Sequence, residues 1–288
     1  MYNKGDFVYK KLLGCVLFAF GSVSAIFGEH LPGPVGLSFR LLGLMSIPIF
    51  VRSLITGFER TRNSGNYFLR LSLTASLAQL ILFLFNRSLD GSAGFSLNPM
   101  YAILIGFGLV YGLEILVPCG PRRIASMRLL EANAQTKSDR FDIRVSPQDL
   151  VEWPKGMKVP NWPIAMLQLF GISLVVFCLA LPFVLPVHLG VFIVLLVLVF
   201  YAVDKVVSGP NVAAAFLCMA MLLATYMFIQ YRLTRELDPV GVSIATVFIS
   251  YLPEKGRRPG RIAQYAYYAF YPVHILVLIL VSRILFGS

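Results

Sequence analysis

The sequence predicts an all-α protein, a polytopic integral membrane bundle of about nine transmembrane helices with its amino terminus in the cytoplasm. Three observations predict it. Of 288 residues, 57% are hydrophobic and 14% charged, against about 45–50% and about 25% in soluble domains, and the mean hydropathy is +0.75. Nine apolar stretches approach the roughly 20 residues that a helix needs to cross a bilayer. Lysine and arginine crowd the connections on one side and nearly vanish from those on the other, which is the positive-inside pattern. This composition excludes a disordered chain and a disulfide-stapled scaffold. It also gives the formal charge of +11 an ordinary explanation, because loops facing anionic lipid carry that sign.

Taken in order, the stretches run over 12–27, 35–53, 67–85, 99–117, 163–185, 189–206, 212–229, 240–252 and 265–286. The first follows Lys4, Lys10 and Lys11 and ends in small residues near Ser22, Ser24 and Ala25. That resembles a signal peptide, but eight further spans follow, so it is read as an uncleaved signal anchor. The eighth is short and interrupted by Gly241, Ser243 and Ser250; it is expected to be tilted, re-entrant or sheltered by its neighbours. Cys15, Cys119, Cys178 and Cys218 lie in or beside apolar runs without paired spacing and read as small buried side chains.

The chain divides into a first half of four spans (1–118), a basic cytoplasmic loop (119–162) and a second half of about five spans (163–288). In the loop, Ile124, Met127 and Leu130 recur on one helical face among Arg122, Arg123 and Arg128, so a helix there can lie on the membrane surface. Ser146 before Pro147 reads as a second helix start, and Trp153 and Trp162 suit the headgroup interface. Membrane lipid is therefore one expected partner, and a protein acceptor or assembly partner docking on 119–162 another. Nucleic acid is not expected.

Polar groups inside spans are costly and each needs a reason. His274 sits about ten residues into the last span, roughly 15 Å deep at 1.5 Å per residue. Tyr267, Tyr271 and His274 share a helix face, so the imidazole can serve as a general base with a tyrosine hydroxyl to orient it, or simply as a neutral bond to another helix. Arg40 and Arg52 flank Pro48 and are too far apart along one helix for a small site; Arg52 is expected to reach the inner surface by snorkelling. Arg60, Arg62 and Asn63 close the second span, where guanidinium forks and an amide can hold phosphates or simply set topology. Acids are sparse in the spans, with Glu114 near the end of the fourth, which argues against a carboxylate proton relay. P-loop, nucleophile-elbow and zinc-protease patterns are lacking.

Several segments in order resemble the TraX family, multi-pass membrane proteins named for the acetylase of the F-pilin amino terminus, with its place in conjugation. Phe39-Arg40-Leu41-Leu42-Gly43 with Ile47-Pro48-Ile49-Phe50 resembles one block of that family. Gly57-Phe58-Glu59-Arg60-Thr61-Arg62-Asn63 with Tyr67-Phe68-Leu69-Arg70-Leu71 resembles a second. Asn98-Pro99-Met100-Tyr101, the run from Gly190 to Tyr201, and Tyr268-Ala269-Phe270-Tyr271-Pro272-Val273-His274 resemble three more. The resemblance implies a bacterial inner-membrane acetyltransferase using acetyl-CoA, with His274, Arg40, Arg60, Arg62 and Asn98 as its polar positions. With Tyr271 and Asn63 from the residue reading, the candidate catalytic set is His274, Tyr271 and Asn98, and the candidate cofactor ligands are Arg40, Arg60, Arg62 and Asn63; no metal is expected. The family's first-span acid and histidine have no counterpart in Phe18-Ala19-Phe20-Gly21-Ser22, and Leu44 and Thr56 stand where it carries an arginine and a glutamate. Two other functions stand beside the acetyltransferase: a silent docking subunit of an envelope, pilus or secretion assembly, which those departures and the long loop suggest, and a lipid or small-solute carrier.

Overall fold

The computed structural model describes residues 6–61, 63–85, 97–117, 163–185, 187, 189–206, 212–234, 239–251 and 261–286. Among them the protein is all-helical. Ten α-helices follow in order: α1 (Asp6–Phe27), α2 (Gly33–Met45), α3 (Ile47–Arg60), α4 (Ser64–Leu84), α5 (Met100–Leu116), α6 (Ile164–Val184), α7 (Gly190–Val206), α8 (Val212–Thr234), α9 (Val247–Tyr251) and α10 (Arg261–Phe286). Short 3₁₀ segments occupy Gly28–His30 and Pro239–Thr246. The loop helices expected within 119–162, with Trp153 and Trp162, lie outside the described residues.

Six passages among the described residues are long and apolar enough to cross a membrane: Tyr9–His30, Gly33–Arg60, Ser64–Leu84, Ala165–Val184, Val212–Ile229 and Tyr265–Phe286. Their outer faces match that reading. On α4, Leu69, Leu73, Leu77, Leu80 and Leu84 form an exposed apolar stripe at the spacing of one helical face. Helices α5 and α7, each 17 residues long, form the centre instead. Leu109 and Ile115 of α5 and Phe192, Leu196 and Phe200 of α7 are fully enclosed, as expected of helices apolar on all sides.

Two stretches depart from the expected straight spans. The second, read as 35–53, is a pair of helices broken at Ser46 and running on to Arg60. Pro48 has no N–H to give the Leu44 carbonyl and its ring crowds that turn, so the helix bends there. Ser46 Oγ donates to the Gly43 carbonyl at 2.7 Å, and Thr246 Oγ1 donates to the Met45 carbonyl at 2.6 Å. The eighth stretch is the source of that threonine: it is a 3₁₀ helix followed by the five-residue α9. Val240, Ser243 and Thr246 are all fully buried, the i, i+3 face that three residues per turn creates. Ser243 Oγ donates to the Val240 carbonyl at 2.7 Å, and the Thr246 hydroxyl that bonds Met45 also has the Ser243 carbonyl at 3.1 Å, so these buried hydroxyls are satisfied inside protein.

Helices α1 and α2 form a hairpin in which Gly21 faces Gly43. A Cβ on Gly43 would lie 2.5 Å from the Gly21 Cα, and one on Gly21 would lie 2.8 Å from the Gly43 Cα. Backbone meets backbone at this point, the close approach that small residues permit between membrane helices. Helix α10 returns to pack on α1 and α4, and that three-helix contact together with α3 encloses the site described next.

Candidate functional site

A cavity of about 500 Å³ lies among α1, α3, α4 and α10. Each helix contributes one face. Helix α1 supplies Lys11, Cys15 and Phe18, and α3 supplies Phe50, Ser53, Gly57 and Arg60. Tyr67, Arg70, Leu71 and Thr74 come from α4, at the i, i+3, i+4, i+7 positions opposite its apolar stripe. Helix α10 supplies Tyr267, Tyr268, Phe270 and Tyr271. From Arg60 to Phe50 is ten residues, so the cavity spans roughly 15 Å of helix axis at 1.5 Å per residue.

Charge is distributed along that axis in one sense. At the end where α3 gives way to α4, the exposed Arg60 and Asn66 and the partly buried Thr61 and Asn63 form the rim. Lys11 and Arg70 stand in the walls, and Phe18, Phe50, Met100 and Tyr271 surround the far end. Among the described residues the lining carries three cationic side chains and no carboxylate. The Asn63 side chain accepts from the Asn66 backbone N–H at 3.0 Å, capping α4 and fixing the rim. Tyr67 fits because Gly57 has no side chain: a Cβ there would sit 2.6 Å from the Tyr67 hydroxyl.

The residues singled out from sequence separate into groups. Arg60, Asn63, Tyr267 and Tyr271 line the cavity; Arg62 lies outside the described residues. Arg40 is exposed on α2 and does not line it. Asn98 is 1% exposed and stands behind Tyr271. Its amide donates to the Ala75 carbonyl and to Gln79 Oε1, each at 3.0 Å. Its Oδ1 accepts from the Met100 N–H at 3.0 Å and from the Tyr271 hydroxyl at 3.5 Å. This one amide starts α5 and ties it to α4 and α10.

His274 does not line the cavity either. It is partly buried and faces α1, where Ser22 Oγ is 3.0 Å from its Nε2, while its Nδ1 is 2.8 Å from the Phe270 carbonyl on its own helix. The ring of Phe18 stands between, stacked on Tyr271 at 4.8 Å and edge-on to His274 at 5.4 Å. A carbonyl only accepts, so Nδ1 carries a proton. In the neutral ring Nε2 accepts from the Ser22 hydroxyl. If Nε2 gains a proton, it donates to Ser22 Oγ and the hydroxyl turns to the Phe18 carbonyl, 3.2 Å away. The network accommodates either charge state.

A second polar cluster was not legible in sequence. Arg52 does not snorkel outward as expected: it forms an ion pair with Asp204 of α7 and lies over the Tyr251 ring at 4.5 Å. One residue on, Lys205 Nζ is 2.6 Å from Glu114 Oε1 of α5. The reason is depth: Asp204 and Lys205 are in the last turn of α7, level with Arg52 and with the end of α5, so partners from three helices meet there, with Lys205 still reaching the surface. Asp204 and Glu114 are thereby explained as structural counter-charges.

No protein-family model, curated protein or solved structure matches this chain.

Proposed function

We propose that this protein is a membrane-embedded acyltransferase of the TraX type, which takes acetyl-CoA into the α1–α3–α4–α10 cavity from the cytoplasmic side. It passes the acetyl group to a protein amino terminus or another envelope acceptor at the bacterial inner membrane. The observation that carries the reading is the cavity itself, with cations and amides at one end, aromatic and apolar groups at the other, and no acid in its described lining. A phosphate-rich head joined to a slender thioester arm has that polarity, and roughly 15 Å of depth suits the arm. The positive-inside rule puts the rim in the cytoplasm, where Arg60 and Asn63, with Lys11 in the wall beside them, would meet the phosphates. Arg40 falls outside this donor site.

In the reaction the acceptor nitrogen forms a bond to the thioester carbonyl carbon, the C–S bond breaks, and the proton lost by nitrogen is taken by a base and handed to the departing CoA thiolate. Tyr271, at the far end, would leave its 3.5 Å bond to Asn98 Oδ1 to donate to the carbonyl oxygen as negative charge develops. His274 is the proton acceptor in this reading, reached when the Phe18 ring swings off Tyr271, and its two-state bond to Ser22 gives the proton a place. The test is equilibrium binding of labelled acetyl-CoA to the purified full chain, followed by label transfer to acceptor in its native membrane. His274→Ala should keep binding and lose transfer. Absence of acetyl-CoA binding to the parent protein contradicts the reading.

A further inference from the structure

Arg70 belongs to the segment Tyr67-Phe68-Leu69-Arg70-Leu71 and has no role in the acyl transfer set out above. Its position is unusual on three counts. It stands six residues into α4, about 9 Å along the axis of a membrane-length helix. Its Nε is buried without a hydrogen-bond partner. Its guanidinium lies against neutral rings, 5.6 Å from the Tyr268 centroid and 6.0 Å from that of Tyr67, in a cavity whose described lining holds no carboxylate.

A guanidinium is charged at any relevant pH. Holding it in a low-dielectric wall with neutral neighbours is costly unless an anion joins it. Elsewhere in this same chain the problem is solved with acids: Arg52 has Asp204 and Lys205 has Glu114. At Arg70 the protein supplies two tyrosines instead, with the Tyr268 side chain also hydrogen-bonded to Arg70, so among the described residues of the lining the guanidinium meets neutral groups and no counter-charge. Gly57 serves the same arrangement by letting the Tyr67 hydroxyl close on α3. A plain snorkelling arginine would not need a cavity in front of it or a ring on each of two helices.

We infer that Arg70, clamped by Tyr67 and Tyr268, is the inner anion ligand of the cavity, and that its ligand is a phosphate or phosphoanhydride group held below the rim. This deepens the acyl-donor reading and rests on the same cavity, but it names a chemistry that either a soluble nucleotide-type donor or a lipid headgroup can bring. The rim cations would then hold a second anionic group of the same molecule, which favours an occupant with at least two phosphates over a single one.

The experiment compares the full-length parent protein with Arg70→Gln and Arg70→Lys in nanodiscs of neutral lipid, using three probes: acetyl-CoA, acetyl-pantetheine (no phosphate) and lysophosphatidate. Parent protein should bind acetyl-CoA at least tenfold more tightly than Arg70→Gln does, with Arg70→Lys between them, while acetyl-pantetheine should not distinguish the three proteins. Equal acetyl-CoA binding by parent and Arg70→Gln overturns the inference and leaves the acyl-donor reading standing. Lysophosphatidate binding that depends on Arg70, with no acetyl-CoA binding, upholds the inference and overturns the acyl-donor reading. Binding of no phosphate-bearing probe to the parent protein overturns both. Arg70→Lys retains the charge and so separates loss of a fork from loss of fold, and thermal unfolding of all three proteins checks that separation directly.

Discussion

Ser22 Oγ and His274 Nε2 meet at 3.0 Å across the α1–α10 contact, and the imidazole is held from its other side by the Phe270 carbonyl. The bond between helices is therefore local and replaceable, because Ser22 has a second acceptor in the Phe18 carbonyl. A Ser22→Ala, His274→Ala double-mutant cycle should give a coupling of about 0.5–1.5 kcal/mol, the range seen for hydrogen bonds between membrane helices. Unfolding of the four proteins in detergent measures it. A coupling near zero would mean the pair does not form.

Breaking the buried ion pair should matter more. Asp204→Asn leaves Arg52, whose side chain is 14% exposed, facing a neutral amide and the Tyr251 ring in place of its bonded carboxylate. The expected loss is about 3 kcal/mol. Replacing both partners with apolar residues, Arg52→Met with Asp204→Leu, should recover most of it, since the cost arises from the uncompensated charge. Thermal unfolding of single and double variants checks this, and a double variant as unstable as the single one would show that the pair itself holds the bundle.

At the α1–α2 hairpin, Gly43→Ala should destabilise by about 1–3 kcal/mol, because the new methyl meets backbone at 2.5 Å rather than a side chain that can turn away. Gly28→Ala, where a Cβ meets nothing within 4 Å, is the matched control in the same unfolding measurement and should cost little.

Gly57→Ala acts on the site and not chiefly on the fold. Its methyl would displace the Tyr67 hydroxyl at 2.6 Å and so unseat one ring of the Arg70 clamp. Affinity for acetyl-CoA should fall several-fold while the melting temperature changes by only a few degrees. An unchanged affinity would mean Tyr67 is not needed in its observed place.

Much of this architecture was legible in the chain. Apolar length located the helices, and their ends agree within a few residues at 99–117 and 163–185, where Pro99 and Pro163 mark entry. The bend at Ser46 was signalled by Pro48, yet apolar content alone runs straight through it. Of the residues the sequence singles out, Arg60, Asn63, Tyr267 and Tyr271 line one cavity, while Arg40, Asn98 and His274 do not. Arg70 had a signal of its own. It shares a face with Tyr67, Leu71 and Thr74 while 69, 73, 77, 80 and 84 are all leucine, but helical spacing tells which residues face inward and not what they face. The pairing of Arg52 with Asp204, 152 residues apart, is of that second kind, as is the turn of His274 toward Ser22 and away from the cavity.

The most direct test of the central claim uses Cys15, which is 6% exposed and lines the cavity wall between Lys11 and Phe18. N-ethylmaleimide labelling of the full chain is followed at each cysteine by peptide mass spectrometry, with and without acetyl-CoA, taking the exposed Cys218 of α8 as internal reference. The account predicts that acetyl-CoA slows labelling at Cys15 at least tenfold and leaves Cys218 unchanged. Equal labelling of Cys15 in the presence of saturating acetyl-CoA would contradict it.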